Sequence, residues 1–246
     1  MDTRYHKIDT IRGLCVISMV LYHTLWTLQY FRLFDAGWFR GLPGYIWQQS
    51  ICQAFILISG FCFGLDRRPI RRGIILSLLG AAITAVTYIF VPRTAIVFGI
   101  LTLLGASVLI AVPLSRVKLN PLCGFILSLA LFMLLKGVNS GYLGCFGVRL
   151  AELPQWFYRS IVTAFFGFPP RGFASADYFS LLPWFFLYMG GYYLFRLSVS
   201  TGYIACLKNG RVPVVGAIGR NALKIYIVHQ PVIFAVVCVL KMIMQL

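Results

Sequence analysis

The chain has 246 residues, of which 60% are hydrophobic and only 11% charged, with a mean hydropathy of +0.85. A water-soluble domain of this length needs a largely polar exterior, so this composition excludes one and makes lipid the solvent. Twenty-two Lys and Arg against six Asp and Glu give a net charge of +16. In a membrane chain that excess first reports topology, because Lys and Arg gather on the cytoplasmic side. Its second meaning is an anionic ligand or lipid headgroup on that side; nucleic acid is not the expected partner.

The expected architecture is all-α, a polytopic transmembrane bundle forming a single domain over residues 1–246. A span needs about 20 mainly apolar residues. In chain order the predicted spans are Ile11–Phe31, Tyr45–Leu65, Gly73–Val91, Ile96–Leu114, the short Leu122–Leu135, Tyr178–Phe195 and Ala222–Met244. The apolar segment Trp156–Phe168 ends in Pro169-Pro170 and leaves an eighth span open. No small-residue cleavage site follows the first apolar run, so it is read as a retained span and not a signal peptide.

With the N-terminus inside, fourteen of the 22 basic residues fall on the cytoplasmic side: Arg4, Lys7, Arg12, Arg67, Arg68, Arg71, Arg72, Arg116, Lys118, Arg196, Lys208, Arg211, Arg220 and Lys224. Seven spans place the C-terminus and the long Gly137–Asp177 loop outside, in a multi-pass protein of the cell membrane. The tightest basic cluster is the loop Asp66 to Arg72. The seven cysteines, Cys15, Cys52, Cys62, Cys123, Cys145, Cys206 and Cys238, are odd in number and sit mostly in apolar runs. They read as small packing residues, with neither a disulfide framework nor metal-ligand spacing.

Ionisable groups inside a span are costly, and each is a functional candidate. His23 lies about 12 residues, or roughly 18 Å, into the first span. Asp9, Arg12, Val16, Met19 and His23 follow one helical stripe. A buried imidazole bonded to a neighbouring helix, and an Asp9–Arg12 ion pair at the surface, are the structural alternatives. His229 precedes Pro231, which leaves a carbonyl one turn earlier without its donor, a defect that His229 or Gln230 can serve. Tyr226 shares the His229 face. Gln49 and Gln53, spaced i,i+4, fit a polar cavity or interhelical bonding, while Gly60 and Gly64 fit close helix packing. Gly99, Thr102 and Gly105 thin one side of the fourth span, for packing or for a narrow ligand.

No G-x-S-x-G, P-loop or G-x-G-x-x-G is present. Two intramembrane imidazoles offer a general base, and the basic rim suits the phosphates of a coenzyme A donor. This set suits acyl transfer, but a proton-coupled transporter or flippase for a small anionic or lipid-linked substrate uses the same residues, and a structural subunit is a third reading.

Five stretches in order carry a resemblance. They are Lys7-Ile8-Asp9-Thr10-Ile11-Arg12-Gly13-Leu14 with Met19-Val20-Leu21-Tyr22-His23; Phe55-Ile56-Leu57-Ile58-Ser59-Gly60; Phe98 to Gly105; Asp177 to Trp184; and Gly219 to Pro231. Together they resemble the bacterial relatives of heparan-α-glucosaminide N-acetyltransferase, within the membrane acyltransferases that modify surface glycans. The resemblance implies acetyl-CoA as cytoplasmic co-substrate and a sugar or glycan acceptor on the far side; the ligand spacing gives no metal. Taken with the intramembrane imidazoles and the basic rim, it points to His23, His229 and Asp9 for catalysis, and to Arg12, Arg67, Arg68, Arg71, Arg72, Gly99 and Thr102 for the donor. Gln49, Gln53, Asp177, Trp184 and Tyr226 are the acceptor-side candidates. The Arg32–Trp47 loop, where the lysosomal branch carries its essential His, contains none here, which leaves His23 as the best-placed imidazole. Membrane lipid is a partner, and a homodimer is an assembly the sequence leaves open.

Overall fold

A computed structural model describes residues 4–145, 147–210 and 212–243. Arg211 and Met244, counted above among the basic residues and within the last span, lie outside them. The helices are α1 (His6–Tyr30), α2 (Gly37–Arg40), α3 (Leu42–Phe63), α4 (Pro69–Phe90), α5 (Ile100–Leu114), α6 (Pro121–Leu134), α7 (Ile161–Phe166), α8 (Leu181–Ser200), α9 (Pro213–Arg220) and α10 (Ala222–Ile243). The only sheet among the described residues is an antiparallel hairpin of β1 (Tyr142–Cys145) and β2 (Val148–Glu152). The fold is all-α with this one small addition.

Among the described residues, five helical stretches are long and apolar enough to cross a membrane: α1, α3, α4, Pro121–Ser140 and α10. The fifth predicted span thus gains length, because a 3-10 turn over Val138–Ser140 extends the stretch that starts with α6. The fourth loses length. Ile96 to Gly99 are not helical: Ile96 N–H donates to Thr87 Oγ1 (3.0 Å) and Val97 N–H to Ser175 Oγ (2.9 Å), so α5 is only 15 residues long. The sixth becomes α8, which starts later than predicted and continues to Ser200; its three tyrosines and Arg196 dilute its apolar content. Trp156–Phe168 holds a 3-10 turn and the six-residue α7, too short to span.

Helix starts follow local chemistry. Proline occupies the first turn of α4, α6 and α9, where the missing N–H costs nothing. The Asn120 side chain accepts from the N–H groups of Leu122 (2.9 Å) and Cys123 (3.3 Å), capping α6.

The chain divides into two compact units, Met1–Phe55 with Thr201–Leu246, and Ile56–Ser200. In the first, α1 packs on α9 and α10. A Cβ on Gly13 would strike the Val215 carbonyl, and one on Gly219 would strike the Asp9 carbonyl. Val16, Met19 and Ala222 form the buried centre, with Ile51, Phe55, Ile218, Ile225 and Tyr226 around them. In the second unit α4 packs on α5 and α6 on α8. Gly80 faces Thr102 and Gly105 faces Ser77, while Gly60 meets the Tyr188 carbonyl and Gly191 the Leu57 carbonyl. In three places, then, each partner helix contributes a glycine. Lipid gives apolar surfaces no reason to leave it, so helices in a membrane associate through close van der Waals contact, which small residues permit.

Adding a methyl at these contacts should cost about 1–3 kcal/mol, as overpacking does. Gly219→Ala and Gly60→Ala are each expected to lower the thermal unfolding midpoint in detergent by several degrees. Gly37→Ala, with nothing within 4 Å of the added Cβ, should leave it unchanged. Equal midpoints for all three would contradict the packing described.

Candidate functional site

The site grows from the α1–α10 contact. Val16 and Met19 pack with Ala222, His23 faces His229, Thr27 meets Gln230 and Phe31 meets Phe234. Residue numbers rise together on both helices, so α1 and α10 run parallel. The imidazoles of His23 and His229 lie with ring centroids 5.0 Å apart and planes inclined by 59°. One turn further along, Gln230 Nε2 donates to Thr27 Oγ1 at 3.2 Å, and the fully buried Thr27 hydroxyl donates to the His23 carbonyl at 2.8 Å.

The His229 ring has a defined orientation. Its Nδ1 lies 2.6 Å from the Tyr226 carbonyl oxygen. A carbonyl can only accept, so Nδ1 carries the hydrogen, and in the neutral ring Nε2 presents a lone pair. That Nε2 is buried and has no hydrogen-bond partner among the described residues. The carbonyl left without a donor by Pro231 belongs to Ile227, not Tyr226, and Gln230 turns to α1. The proline-linked duty foreseen for this pair is therefore not the one they perform. The His23 ring nitrogens make no hydrogen bond among the described residues; its ring meets those of His229 and Tyr22 (5.8 Å, edge-on).

Tyr22, whose ring meets that of His23 edge-on, also lines a cavity of about 470 Å3 that neither imidazole lines. The cavity is walled by Tyr22, Trp26, Gln29 and Tyr30 of α1, by Phe39 and Arg40 of α2, and by Tyr45 and Gln48 of α3. Tyr22 stacks obliquely on Phe39 (4.8 Å) and edge-on to Trp47 (5.4 Å), whose Nε1 donates to Ser18 Oγ at 2.8 Å. Gln29 Nε2 is buried without a partner among the described residues.

The other sequence candidates are distributed over both units. Asp9 is buried at the far end of α1, within 2.7 Å of Arg4 Nε and 3.9 Å of Arg12 Nη1. Fourteen residues separate it from His23, about 21 Å along a helix, so it does not join the imidazoles. Tyr226 does: its ring is 5.6 Å from that of His229. Gln49 and Gln53 are half-buried on α3, and the neighbouring Gln48, not they, lines the cavity.

In the second unit, Arg67, Arg68 and Arg71 are exposed. Arg72 is engaged: Nη1 lies 3.5 Å from Asp66 Oδ2 and Nη2 donates to Ser59 Oγ at 3.3 Å. Asp177 Oδ2 accepts from Ile100 N–H at 3.4 Å beside Gly99, and so holds the start of α5. Thr102 stands against Gly80 in the α4–α5 contact. Trp184 is buried between Phe132 and Phe179 with Lys136 Nζ 3.9 Å above its ring. Among the described residues no three His, Cys, Asp or Glu are grouped to hold a metal ion.

Sequence reasoning missed Trp26, Gln29, Arg40 and Gln48. The available signal was the i, i+4, i+7, i+8 spacing of Tyr22, Trp26, Gln29 and Tyr30, one face of a helix rich in aromatic and amide groups.

No match was found among curated proteins or among solved structures. A family model described as heparan-alpha-glucosaminide N-acetyltransferase, catalytic, matches residues 4–231, a range that takes in both imidazoles, the cavity and the basic loop. With its apolar helices, the chain is a membrane protein and a transferase, and it belongs to the heparan-alpha-glucosaminide N-acetyltransferase catalytic family.

Proposed function

We propose that this chain is one multi-pass catalytic domain of the cell membrane that moves an acetyl or other short acyl group from cytoplasmic acyl-CoA to a sugar or glycan on the opposite face. The observation that carries the reading is the imidazole pair at 5.0 Å, with His229 oriented by a backbone carbonyl. His23 takes the proton of the attacking hydroxyl or amine. As that atom bonds to the thioester carbon, the carbon–sulfur bond breaks, and the proton passes on to the departing coenzyme A thiolate. The His229 Nε2 lone pair faces a dry interior and supports the transient charge on His23. Asp9 acts at a distance from this step, by fixing Arg4 and Arg12 at the cytoplasmic mouth of α1.

The parallel run of α1 and α10 supports an odd number of crossings, since both helices then start from the same face. Seven crossings fit if α5 and α8 both span, and the excess of basic residues at the start of α1 and in the Asp66–Arg72 loop supports a cytoplasmic N-terminus. Arg67, Arg68 and Arg71, being exposed, are the donor-phosphate ligands; Gly99 and Thr102 are assigned to the supporting frame, as their contacts suggest. Asp177 and Trp184 belong to that frame as well, while Tyr226 positions His229.

His23→Ala is expected to fold and bind acetyl-CoA yet lose turnover by about 10²–10⁴-fold, the usual worth of a general base. His229→Ala should lose less. The check is acetyl transfer by purified variants beside isothermal titration with acetyl-CoA; near-normal turnover of His23→Ala would remove it from the chemistry.

Donor binding should also be sided. Coenzyme A added to sealed vesicles should bind only when the Asp66–Arg72 face is outward. Removing the charge of Arg67, Arg68 or Arg71 should weaken it roughly tenfold each, the worth of one charge-assisted bond. Arg72→Gln should instead lower stability, because it leaves Asp66 and Ser59 without their guanidinium. Binding from the opposite face would overturn the orientation, and unchanged affinity in all three variants would leave the loop a topological signal alone.

A further inference from the structure

We infer that the cavity beside the imidazole pair is the acceptor subsite and that it selects a pyranose carrying a negative charge, which is acylated on a hydroxyl and not on an amine. The inference rests on the acyltransferase reading for its chemistry, but its binding claim stands on the cavity alone. The volume, about 470 Å3, lies within the roughly 300–1,000 Å3 of small-molecule sites and leaves room for one or two sugar rings.

The walls match a sugar. Trp26 and Tyr30 are stacked at 5.4 Å with planes 17° apart, and with Tyr45 they offer the flat apolar faces on which pyranose C–H groups rest. Gln29 and Gln48 line the cavity and carry amide groups of the kind that pair with hydroxyls. Charge then decides the class. Arg40 is the only ionised side chain lining the cavity, no carboxylate lines it, and no ion pair of Arg40 is formed among the described residues. A glucosamine nitrogen is cationic at neutral pH, and beside Arg40 it meets repulsion with no counter-charge. A carboxylate or phosphate on the ring meets a guanidinium fork suited to either.

The reaction balances without further reagents. The sugar hydroxyl oxygen bonds to the acyl carbon, the thioester carbon–sulfur bond breaks, and the hydroxyl proton leaves through the imidazole to the coenzyme A thiolate. Tyr22, in ring contact with His23 and lining the cavity, is the link between bound sugar and base.

Binding is read by quenching of Trp26 fluorescence in detergent with no donor present, using Trp26→Phe to identify the signal. Methyl glucuronide, glucose 6-phosphate, methyl glucoside and methyl glucosaminide are the probes. The account predicts saturable quenching by glucuronide, by the phosphate or by both, which identifies the source of the charge. Arg40→Gln should weaken that binding by tenfold or more and leave the weaker neutral glucoside unaffected. Tighter binding of the glucosaminide, an unchanged affinity of the anionic sugars in Arg40→Gln, or no quenching by any probe would overturn the inference. Acetyl-CoA is then added. Acetyl found on the glucosaminide nitrogen alone would sink the inference and keep the acyltransferase. Anionic sugar bound through Arg40 without any acetyl transfer would keep the subsite and remove the chemistry.

Discussion

The hydrogen bond from Gln230 to Thr27, between groups 203 residues apart in the chain, ties α10 to α1. In hydrocarbon an unpaired amide or hydroxyl has no water to turn to. Thr27 spends its own hydrogen on the His23 carbonyl, so its oxygen is presented toward α10, and Gln230 supplies the donor. That bond fixes the height of α10 against α1. One turn below it the two imidazoles are brought to 5.0 Å, and lower still Val16, Met19 and Ala222 close the contact without a polar group. At the bottom Gly13 and Gly219 let α9 press against α1. The pair of bases is thus a consequence of a register that glycines, a small apolar centre and one polar bond set together.

The second unit uses the same device for a different purpose. Glycine from each side brings α4 to α5, and α8 to the Ile56–Phe63 part of α3. The result is a frame whose buried polar side chains include Ser59, Ser107, Ser128, Ser180 and Ser198. Its two basic features behave differently because of their neighbours. Arg72 is spent on Asp66 and Ser59, while Arg67, Arg68 and Arg71 remain on the surface where a phosphate can reach them.

Much of this was legible in the sequence. Composition settled the solvent, the apolar runs located most helices to within a few residues, and the rarity of ionisable groups in spans singled out His23 and His229 before any geometry. Their juxtaposition was not legible, because no periodicity links residues on helices so far apart in the chain. The short α5 was hidden for a related reason: Ile96 to Gly99 are as apolar as the helix that follows, but Thr87 and Ser175 hold their backbone in another shape. Asp177 reads in the sequence as an acceptor-side carboxylate, and the contact of its Oδ2 with Ile100 N–H at the start of α5 has no signature in the sequence. The cavity escaped because Phe39 and Arg40 of its wall come from the four-residue α2, which has no pattern long enough to read, and because Gln48 differs from Gln49 and Gln53 only in the side of α3 it faces.

The account's central claim is that His23 and His229 act as one unit. Turnover of His23→Ala, His229→Ala and the double variant, measured at saturating donor with acetyl-CoA binding verified in each, tests it most directly. Groups that work as a unit give non-additive losses. The double variant should be no slower than His23→Ala beyond about threefold, since His229 has nothing left to support. Losses that multiply would show two independent roles and would contradict the pairing on which the mechanism rests.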